Sequence, residues 1–244
     1  MSETHDTSRR RFLSAAAGLT VLSLAPGVVL YSHAAAKQAA HGKRAVRWGM
    51  LIDVNRCAPD CDACVSACAT EFGLPYPPKE PTDPQWIRKI SVTDPDGGHT
   101  LSFPVMCQHC SDPPCVEVCP TGASFKRDDG IVLIDRHLCV GCRYCEMACP
   151  YKARSFVSAP VKNQKPYAPR GVGTSEACTL CVHRIDAGRI PACVEACAAT
   201  GHSAMLFGDL NDPESEIAKR VANYQTTQIR ADLRTDPGIR YEGL

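Results

Sequence analysis

Sixteen cysteines stand in four groups of four, and no cysteine lies outside those groups. The third group reads Cys139-x2-Cys142-x2-Cys145-x3-Cys149-Pro150. In a C-x2-C-x2-C-x3-C-P run, three thiolates bind one [4Fe–4S] cluster and the fourth binds a neighbouring cluster. The spacing has a steric cause, because a tight turn directs three sulfurs at one cluster while the fourth, a helical turn later, faces away.

The other three groups vary this spacing. They are Cys57-x3-Cys61-x2-Cys64-x3-Cys68, Cys107-x2-Cys110-x4-Cys115-x3-Cys119 and Cys178-x2-Cys181-x11-Cys193-x3-Cys197. The first group has one residue more than usual in its opening gap. Since each cluster takes four thiolates, the sixteen cysteines predict four [4Fe–4S] clusters. A chain with this many one-electron carriers is predicted to be an electron-transfer protein.

Two other uses of the cysteines compete with this interpretation. An exported protein with sixteen cysteines could form disulfides, which oxidising compartments favour. Structural zinc also uses C-x2-C pairs. Closely spaced C-x2-C-x2-C runs favour shared coordination over pairing with distant cysteines. A triplet with an outlying fourth thiolate is typical of cluster ligation rather than of a four-ligand zinc site.

The N-terminal segment has the pattern of an export signal. Residues 8–14 read Ser-Arg-Arg-Arg-Phe-Leu-Ser and lead into an apolar stretch that ends at about Ala36. A twin-arginine pair before such a stretch predicts a signal peptide at residues 1–36, with Ala34-Ala35-Ala36 as the candidate cleavage site. The twin-arginine route carries folded proteins, which suits clusters that are assembled in the cytoplasm.

The signal therefore predicts a periplasmic protein, peripheral to the outer face of the inner membrane through its complex. Retention of the segment as a membrane anchor is the alternative. Gly18 and Pro26 make it a poor membrane span, although its length nearly suffices. We expect cleavage.

Composition narrows the remaining classes of function. The formal net charge is +1 at pH 7, which argues against nucleic acid as a partner. Aromatic residues make up only 6% of the chain and prolines number 19, which suits a loop-rich body whose clusters replace much of an apolar core. After Ala36 no apolar stretch is long enough to span a bilayer.

Short elements are predicted around each cysteine group, which makes the fold class α+β and loop-rich. Alternation and turn residues predict strands over 47–53, 86–92, 100–105, 124–126 and 131–134, including two small β-hairpins. Short helices are predicted at 65–69, 116–118, 146–148 and 194–196, each beside the outlying cysteine of its group. A further helix is predicted to start near Pro213, and residues 231–244 are expected to be extended and wrapped on the body.

Charged and imidazole side chains near the cysteines are candidates for tuning the clusters. Arg143, Lys152 and Arg154 lie close to the third group, where positive charge would raise a reduction potential, unless they are solvated surface charges. His109 and His183 lie inside cysteine groups and could ligate iron, although sixteen cysteines already suffice. No Walker loop, G-x-G-x-x-G fingerprint or nucleophile–base arrangement stands out. The chain is therefore predicted not to be an enzyme itself.

In their order, and with an eleven-residue gap inside the last group, the cysteines resemble those of the four-cluster iron–sulfur subunits of the dimethyl-sulfoxide-reductase family. The resemblance covers about residues 47–210. It implies two pseudo-symmetric bacterial-ferredoxin-like halves with small β-hairpins and short helices. Half one comprises residues 47–75 and 175–208, and half two comprises residues 100–158. The four-cluster domain would span 37–210, followed at 211–244 by a C-terminal helix and an extended tail.

The resemblance also implies which four cysteines bind each cluster. We name these sets quartet A (Cys57, Cys61, Cys64, Cys197), quartet B (Cys68, Cys178, Cys181, Cys193), quartet C (Cys107, Cys110, Cys115, Cys149) and quartet D (Cys119, Cys139, Cys142, Cys145). Quartets A and B belong to half one, and quartets C and D belong to half two. The extra residue between Cys57 and Cys61 departs from the commonest family pattern.

Within that family, the longer opening gap and the twin-arginine signal are most similar to the periplasmic iron–sulfur subunit of the dissimilatory sulfite-reductase-associated membrane complex. This resemblance implies two partners, a polytopic quinone-interacting membrane subunit and a periplasmic multihaem cytochrome c. The alternative partner is a molybdopterin catalytic subunit, for example one that acts on tetrathionate or polysulfide. A non-redox metal or disulfide scaffold is the third class of function.

Overall fold

The computed structural model describes residues 19–25, 28–33 and 45–244. The chain divides into one unit within residues 1–43 and a second unit of residues 44–244. In the first unit, strands β1 (Leu19–Ala25) and β2 (Val28–His33) pair in antiparallel register. The twin-arginine residues 8–14 and the candidate cleavage site at residues 34–36 lie outside the described residues.

Short strands and helices build the second unit. The strands are β3 (Trp48–Asp53), β4 (Ile87–Thr93), β5 (Thr100–Met106), β6 (Ser124–Lys126), β7 (Val132–Ile134), β8 (Arg154–Phe156), β9 (Ser175–Ala177), β10 (Met205–Asp209), β11 (Thr226–Thr227) and β12 (Ile239–Glu242). The α-helices are α1 (Ala63–Phe72), α2 (Pro114–Glu117), α3 (Tyr144–Ala148), α4 (Val182–Ile185), α5 (Ala192–Ala199) and α6 (Glu216–Asn223). Two 3-10 turns cover Val54–Arg56 and Ala231–Leu233. The predicted α+β, loop-rich fold class is confirmed.

The largest sheet joins segments that are far apart in the sequence. Its strand order is β10-β3-β12-β11, with β3 antiparallel to β10 and parallel to β12. Met50 and Ile52 in β3 are fully buried. Gly49 allows the tail to approach, because a Cβ there would lie 2.6 Å from the carbonyl oxygen of Gly238. The tail, which the sequence predicts to be extended, thus lies in the central sheet beside β3.

Three β-hairpins complete the strand pairing of the second unit. They are β4 with β5, β6 with β7 and β8 with β9, all antiparallel. The first two are the hairpins that the sequence predicts around its turn residues. The pair of β8 and β9 connects the end of the third cysteine group to the start of the fourth, and so joins half two to half one.

The helices that carry cysteines pack in two pairs. Helix α1 packs against α5 in half one, and α2 packs against α3 in half two. Each pair therefore joins two cysteine groups, the first with the fourth and the second with the third. Helix α1 ends where Gly73 adopts the left-handed conformation (φ +64°), and its N–H donates to the carbonyl oxygen of Ala69.

The cysteines themselves form much of the core. Nine of them belong to the main cluster of buried residues, together with Trp86 and Phe72, whose ring centroids are 4.3 Å apart. Cys115 and Cys145 form a smaller cluster with Val132. Among the helices that the structure describes, none combines the length and the apolarity needed to span a bilayer.

Candidate iron–sulfur centres

Three of the four cysteine loops turn through left-handed residues. The φ angles are +43° at His109, +71° at Gly141, +62° at Arg143, and +52° at both Leu180 and Cys181. Left-handed residues reverse the chain over a short distance, so that the sulfurs of a C-x2-C pair can face one space. Glycine is also required at position 141, because a Cβ there would collide with the carbonyl oxygen of Gly173.

The first cysteine loop turns in a different way. No residue from Cys57 to Cys64, all of which the structure describes, has a positive φ. A 3-10 turn at residues 54–56 leads into the loop, and the Cys61 N–H donates to the Ala58 carbonyl at 3.2 Å. The extra residue in this loop therefore closes it through an ordinary turn, without left-handed backbone.

Quartet A lines one cavity. Cys57, Cys61, Cys64 and Cys197 face this space together, although Cys197 is far from the others in sequence. The remaining lining is largely apolar and includes Pro104 and Met205. The Ala204 N–H donates to Cys197 Sγ at 3.3 Å. Amide donors of this kind favour the thiolate form, which is the form that binds iron.

Quartet D lines a second cavity. Its four cysteines, Cys119, Cys139, Cys142 and Cys145, share this cavity with Ile134 and Arg154 among others. The Ser124 N–H donates to Cys119 Sγ at 3.3 Å. Burial raises the pKa of Cys119, but hydrogen bonds from the Ser124 amide and from Thr121 outweigh burial and lower that pKa overall. These hydrogen bonds favour the thiolate form of Cys119, which is the form that binds iron.

Within quartet B, and likewise within quartet C, the cysteines raise one another's pKa. Burial raises the pKa of Cys68 well above its usual value, and Cys178, Cys193 and Cys181 raise it further. Burial likewise raises the pKa of Cys110, to about 11, and Cys115 and Cys149 add to the rise. The structure therefore brings together the cysteines of each inner quartet.

Electrostatic contacts between cysteines also connect one quartet to the next. Cys64 of quartet A raises the pKa of Cys68 in quartet B. Cys178 of quartet B raises the pKa of Cys107 in quartet C, and Cys145 of quartet D raises that of Cys115 in quartet C, in each case after burial as the largest cause. These influences link quartet A to B, B to C and C to D.

Buried thiols in this arrangement fit an iron–sulfur cofactor. Burial raises the pKa of Cys64 and of Cys178 to about 12, so that these groups would be neutral thiols without a countercharge. Iron supplies that countercharge and binds the thiolate. A [4Fe–4S] cluster takes four thiolates, which is the donor set that lines each of the two cavities. When bound, such clusters accept and release single electrons.

The described residues show neither a disulfide nor a group of side chains placed to hold a single metal ion. All sixteen cysteines are free, and none forms a disulfide. Within residues 19–25, 28–33 and 45–244, no group of three or more His, Cys, Asp or Glu side chains is placed to hold a single metal ion.

The two histidines inside the cysteine groups have other partners. His183 Nε2 lies 2.7 Å from Glu71 Oε1, and its ring stacks on Tyr167 at 4.5 Å. His109 Nδ1 accepts a hydrogen bond from the Val132 N–H at 3.0 Å. Burial lowers the pKa of His109 to about 3, so the ring is neutral and Nε2 carries its proton.

Of the three cations noted near the third group, Arg143 and Lys152 are exposed. Arg154 is buried, and its Nη2 donates to Cys115 Sγ at 2.9 Å. Sequence proximity assigned Arg154 to the third group and missed this contact with the second. No strand was predicted at residues 154–156, so the local sequence carried no signal for the burial of Arg154.

Comparison with known proteins shows what this chain is similar to. A family model described as a 4Fe-4S dicluster domain matches residues 99–210. The chain is 41% identical to the Hdr-like menaquinol oxidoreductase iron-sulfur subunit 1 of Archaeoglobus fulgidus, over 97% of this chain and 98% of the relative. It is 35% identical to a tetrathionate reductase subunit of Salmonella typhimurium, over 98% and 89%. It is 36% identical to a sulfite dehydrogenase subunit of Allochromatium vinosum, over 79% and 81%.

The similarity extends over nearly the whole of both chains for the Archaeoglobus relative. The chain belongs to the family of iron–sulfur subunits of the dimethyl-sulfoxide-reductase type. It carries multiple [4Fe–4S] clusters and is an electron-transfer subunit of an oxidoreductase complex, without a catalytic site of its own. The predicted family, cofactor and non-catalytic role are confirmed. The assignment of individual cysteines to clusters stays a prediction.

Proposed function

We propose that this chain is a periplasmic electron-transfer subunit of a respiratory complex linked to dissimilatory sulfur metabolism. It relays electrons through four [4Fe–4S] clusters between a quinone-interacting membrane subunit and a multihaem cytochrome c. Export follows the twin-arginine route, and the chain is held at the outer face of the inner membrane by its complex.

The observation that carries the proposal is the series of electrostatic influences that links the four cysteine quartets. Neighbouring quartets affect each other electrostatically from A through B and C to D. Such a series accepts electrons at one end and delivers them at the other, which suits a subunit placed between two redox partners. The name of the Archaeoglobus relative supports menaquinol as the source of electrons, because that protein is an iron–sulfur subunit of a menaquinol oxidoreductase.

A molybdopterin oxidoreductase of the periplasm is the alternative complex. The similarity to the tetrathionate reductase subunit of Salmonella typhimurium favours it, because that relative also matches nearly the whole of this chain. The two proposals share the cluster relay and differ in the partner at one end. They therefore make different predictions about what co-purifies with the chain.

Anaerobic purification of the tagged chain from detergent-solubilised membranes distinguishes the two complexes. The proposed complex yields c-type haem in the absorption spectrum, and addition of a menaquinol analogue bleaches the visible absorption of the clusters. Molybdenum in the metal analysis, with no c-type haem, would replace the proposal by the alternative. Retention of neither cofactor, with no reduction by menaquinol, would contradict both.

Cell fractionation tests the proposed location. The double variant Arg9→Lys with Arg10→Lys should keep the chain in the cytoplasm with its iron bound, because the variant changes only the twin-arginine signal. A single Arg11→Lys variant is the matched control and should be exported normally. Equal periplasmic amounts of the double variant and the control would contradict the twin-arginine route.

A further inference from the structure

Arg154 is a buried guanidinium that contacts both quartets of half two. Its side chain begins strand β8, and the residue is only 8% exposed. Its Nη2 donates to Cys115 Sγ at 2.9 Å and to Ser124 Oγ at 2.8 Å. The same side chain lines the cavity formed by the cysteines of quartet D. Arg154 thus lies between the sites of quartets C and D.

Among the described residues no carboxylate forms an ion pair with Arg154, whose Nη2 contacts a thiol and a hydroxyl instead. Burial alone would lower its pKa, but Cys115, Cys107 and Cys145 together raise it. Glu146, which shares a surface pocket with Arg154, instead accepts a hydrogen bond from Ser175 Oγ at 2.7 Å. The Nε and Nη1 atoms of Arg154 have no hydrogen-bond partner among the described residues.

A second buried arginine, Arg170, has the carboxylate partner that Arg154 lacks among the described residues. Arg170 forms an ion pair with Glu176 at 2.7 Å, and both side chains are almost fully buried. A buried cation without such a partner is strongly destabilising. The unpartnered donors of Arg154 therefore fit a site whose countercharge arrives with the cofactor, because four thiolates give each cluster site a net negative charge.

We propose that Arg154 is the shared cation that raises the reduction potentials of the clusters bound by quartets C and D. Adding one electron to either site adds one negative charge, and a buried cation stabilises that reduced form strongly because the surroundings have a low effective dielectric constant. The hydrogen bond to Cys115 acts in the same direction. Arg154 is a positioning and tuning residue, and the proposal rests on cluster binding, independently of the partners proposed above.

In the described part of half one, the cation Lys89 acts on Cys57 and Cys64 of quartet A, and no cation is among the causes that act on Cys68 and Cys193 of quartet B. Burial raises the pKa of Cys68 and Cys193, and the further causes are other cysteines, with one backbone hydrogen bond acting on Cys193. The cations that act on Cys181 are Arg184 and Arg189. Arg184 is paired with Glu195 at 2.8 Å. Arg154 itself contacts cysteines of quartets C and D, so its effect is expected in half two.

EPR-monitored redox titration of the full chain, isolated anaerobically with its co-purifying subunits, tests the proposal. Arg154→Met removes the charge and keeps an unbranched side chain, whereas Arg154→Lys keeps the charge without the planar fork. Lys152→Met is the matched control, because it removes an exposed cation two residues away. Iron content and the four midpoint potentials are measured for each protein.

In Arg154→Met, the reduction potentials of the clusters bound by quartets C and D should fall. At a fixed potential, the ratio of reduced to oxidised cluster should drop by at least about tenfold, which is 59 mV for a one-electron couple. The other two potentials, and all four in Lys152→Met, should stay within about threefold of wild type by that ratio. Full iron content with four unchanged potentials in Arg154→Met would overturn the proposal.

If Arg154→Met loses iron, the Arg154→Lys variant tests the proposal instead. Because this variant keeps the positive charge, it should hold the wild-type amount of iron and show smaller shifts than about tenfold in the same two clusters. Loss of iron from Arg154→Lys as well would overturn the proposal, since a positive charge at position 154 would then be insufficient.

Discussion

Half one and half two enclose their inner quartets in different ways. In half one, helices of ten and eight residues, α1 and α5, pack together and carry buried cysteines of quartets A and B, among them Cys64, Cys68 and Cys193. In half two, α2 and α3 have only four and five residues. Quartet C is instead covered by the C-terminal tail, whose Thr235 acts to lower the pKa of Cys110, and by Arg154.

Cysteines at the same spacing can thus be covered by local or by distant parts of the chain. The tail follows the second cysteine loop closely. Ser111 N–H donates to the Asp236 carbonyl at 2.9 Å, and Gly238 N–H donates to the Gln108 carbonyl at 2.8 Å. Half one encloses quartet B with its own helices, although its strand β3 also pairs with β12 of the tail. In half two the tail hydrogen-bonds the second cysteine loop directly. Four predictions test this difference.

Removal of iron should have the largest effect and should affect both halves. The cysteines form much of the core, so their clusters are expected to contribute folding free energy, as structural metals bound by thiolates do at about 10 kcal/mol or more. Anaerobic chelation should abolish cooperative thermal unfolding measured by circular dichroism. An iron-free chain that melts at the temperature of the holoprotein would contradict a cofactor-dependent core in either half.

Deletion of residues 235–244 should damage half two before half one. Ile239 and Tyr241 are fully buried, and each contributes about 1.5–3 kcal/mol through burial. The deletion also removes Thr235, which acts to lower the pKa of Cys110. We expect the deletion to lose the clusters of half two preferentially, as measured by iron content and by EPR signals.

Deletion of Gly243 and Leu244 alone is the matched control, because Leu244 is exposed and β12 ends at Glu242. This shorter deletion should keep the full iron content. Equal loss of EPR signals from both halves in the longer deletion would show that the tail supports the whole sheet rather than half two.

Serine substitutions at Cys119 and Cys197 test the outer quartets, because each of these cysteines is assigned to the cluster of another cysteine group. Cys119→Ser should damage the cluster bound by Cys139, Cys142 and Cys145 and leave the quartet C cluster largely intact. Cys197→Ser is the equivalent change for quartet A in half one. Each variant should lose up to about four irons per chain, counted by metal analysis. Loss of the quartet C signal in Cys119→Ser, with quartet D intact, would show that the pairing implied by the family is wrong here.

The smallest effect is expected from one hydroxyl contact between the tail and half two. Tyr151 and Thr235 are both buried, and their hydroxyl oxygens are 2.6 Å apart. Thr235→Val leaves the Tyr151 hydroxyl without that partner, at a cost of about 1–3 kcal/mol. The anaerobic melting temperature should fall by several degrees, at about 2–4 °C per kcal/mol for a chain of this size.

The double variant Thr235→Val with Tyr151→Phe removes both hydroxyls and separates this contact from general packing. Its melting temperature should lie above the value expected if the two single effects simply added, because no buried hydroxyl is then left unpaired. Strict additivity of the two substitutions would mean that the contact does not hold the tail on half two.

Local elements could be predicted well from particular residues. Asp94 to Gly98 and Arg127 to Gly130 mark two hairpin turns, and the strands on either side of each turn lie within one or two residues of their predicted ends. Turn residues and alternating apolar side chains act over a few positions, which makes such signals readable in one sequence. The helices beside the outlying cysteines were predicted too short, because α1 continues to Phe72 by packing its far end against Trp86.

Contacts between distant segments could not be predicted from the residues alone. Arg47 illustrates this, since its Nη2 donates to the carbonyl oxygens of His109 and Asp236 at 2.9 and 3.1 Å. Nothing in the local pattern around Arg47 identifies partners that are 62 and 189 positions away. The same holds for Arg154, whose neighbours in sequence suggested the third cysteine group while its hydrogen bond reaches Cys115 of the second.

Cluster binding and membership of a family of electron-transfer subunits can be predicted from the cysteine spacing alone, because covalent chain geometry sets the spacing of thiolates over a few residues. The side chains that surround those thiolates follow only from the fold, because burial, countercharge and coverage by the tail depend on segments that are distant in the sequence. The environment of each quartet, and with it the expected difference between the two halves, is therefore a property of the fold.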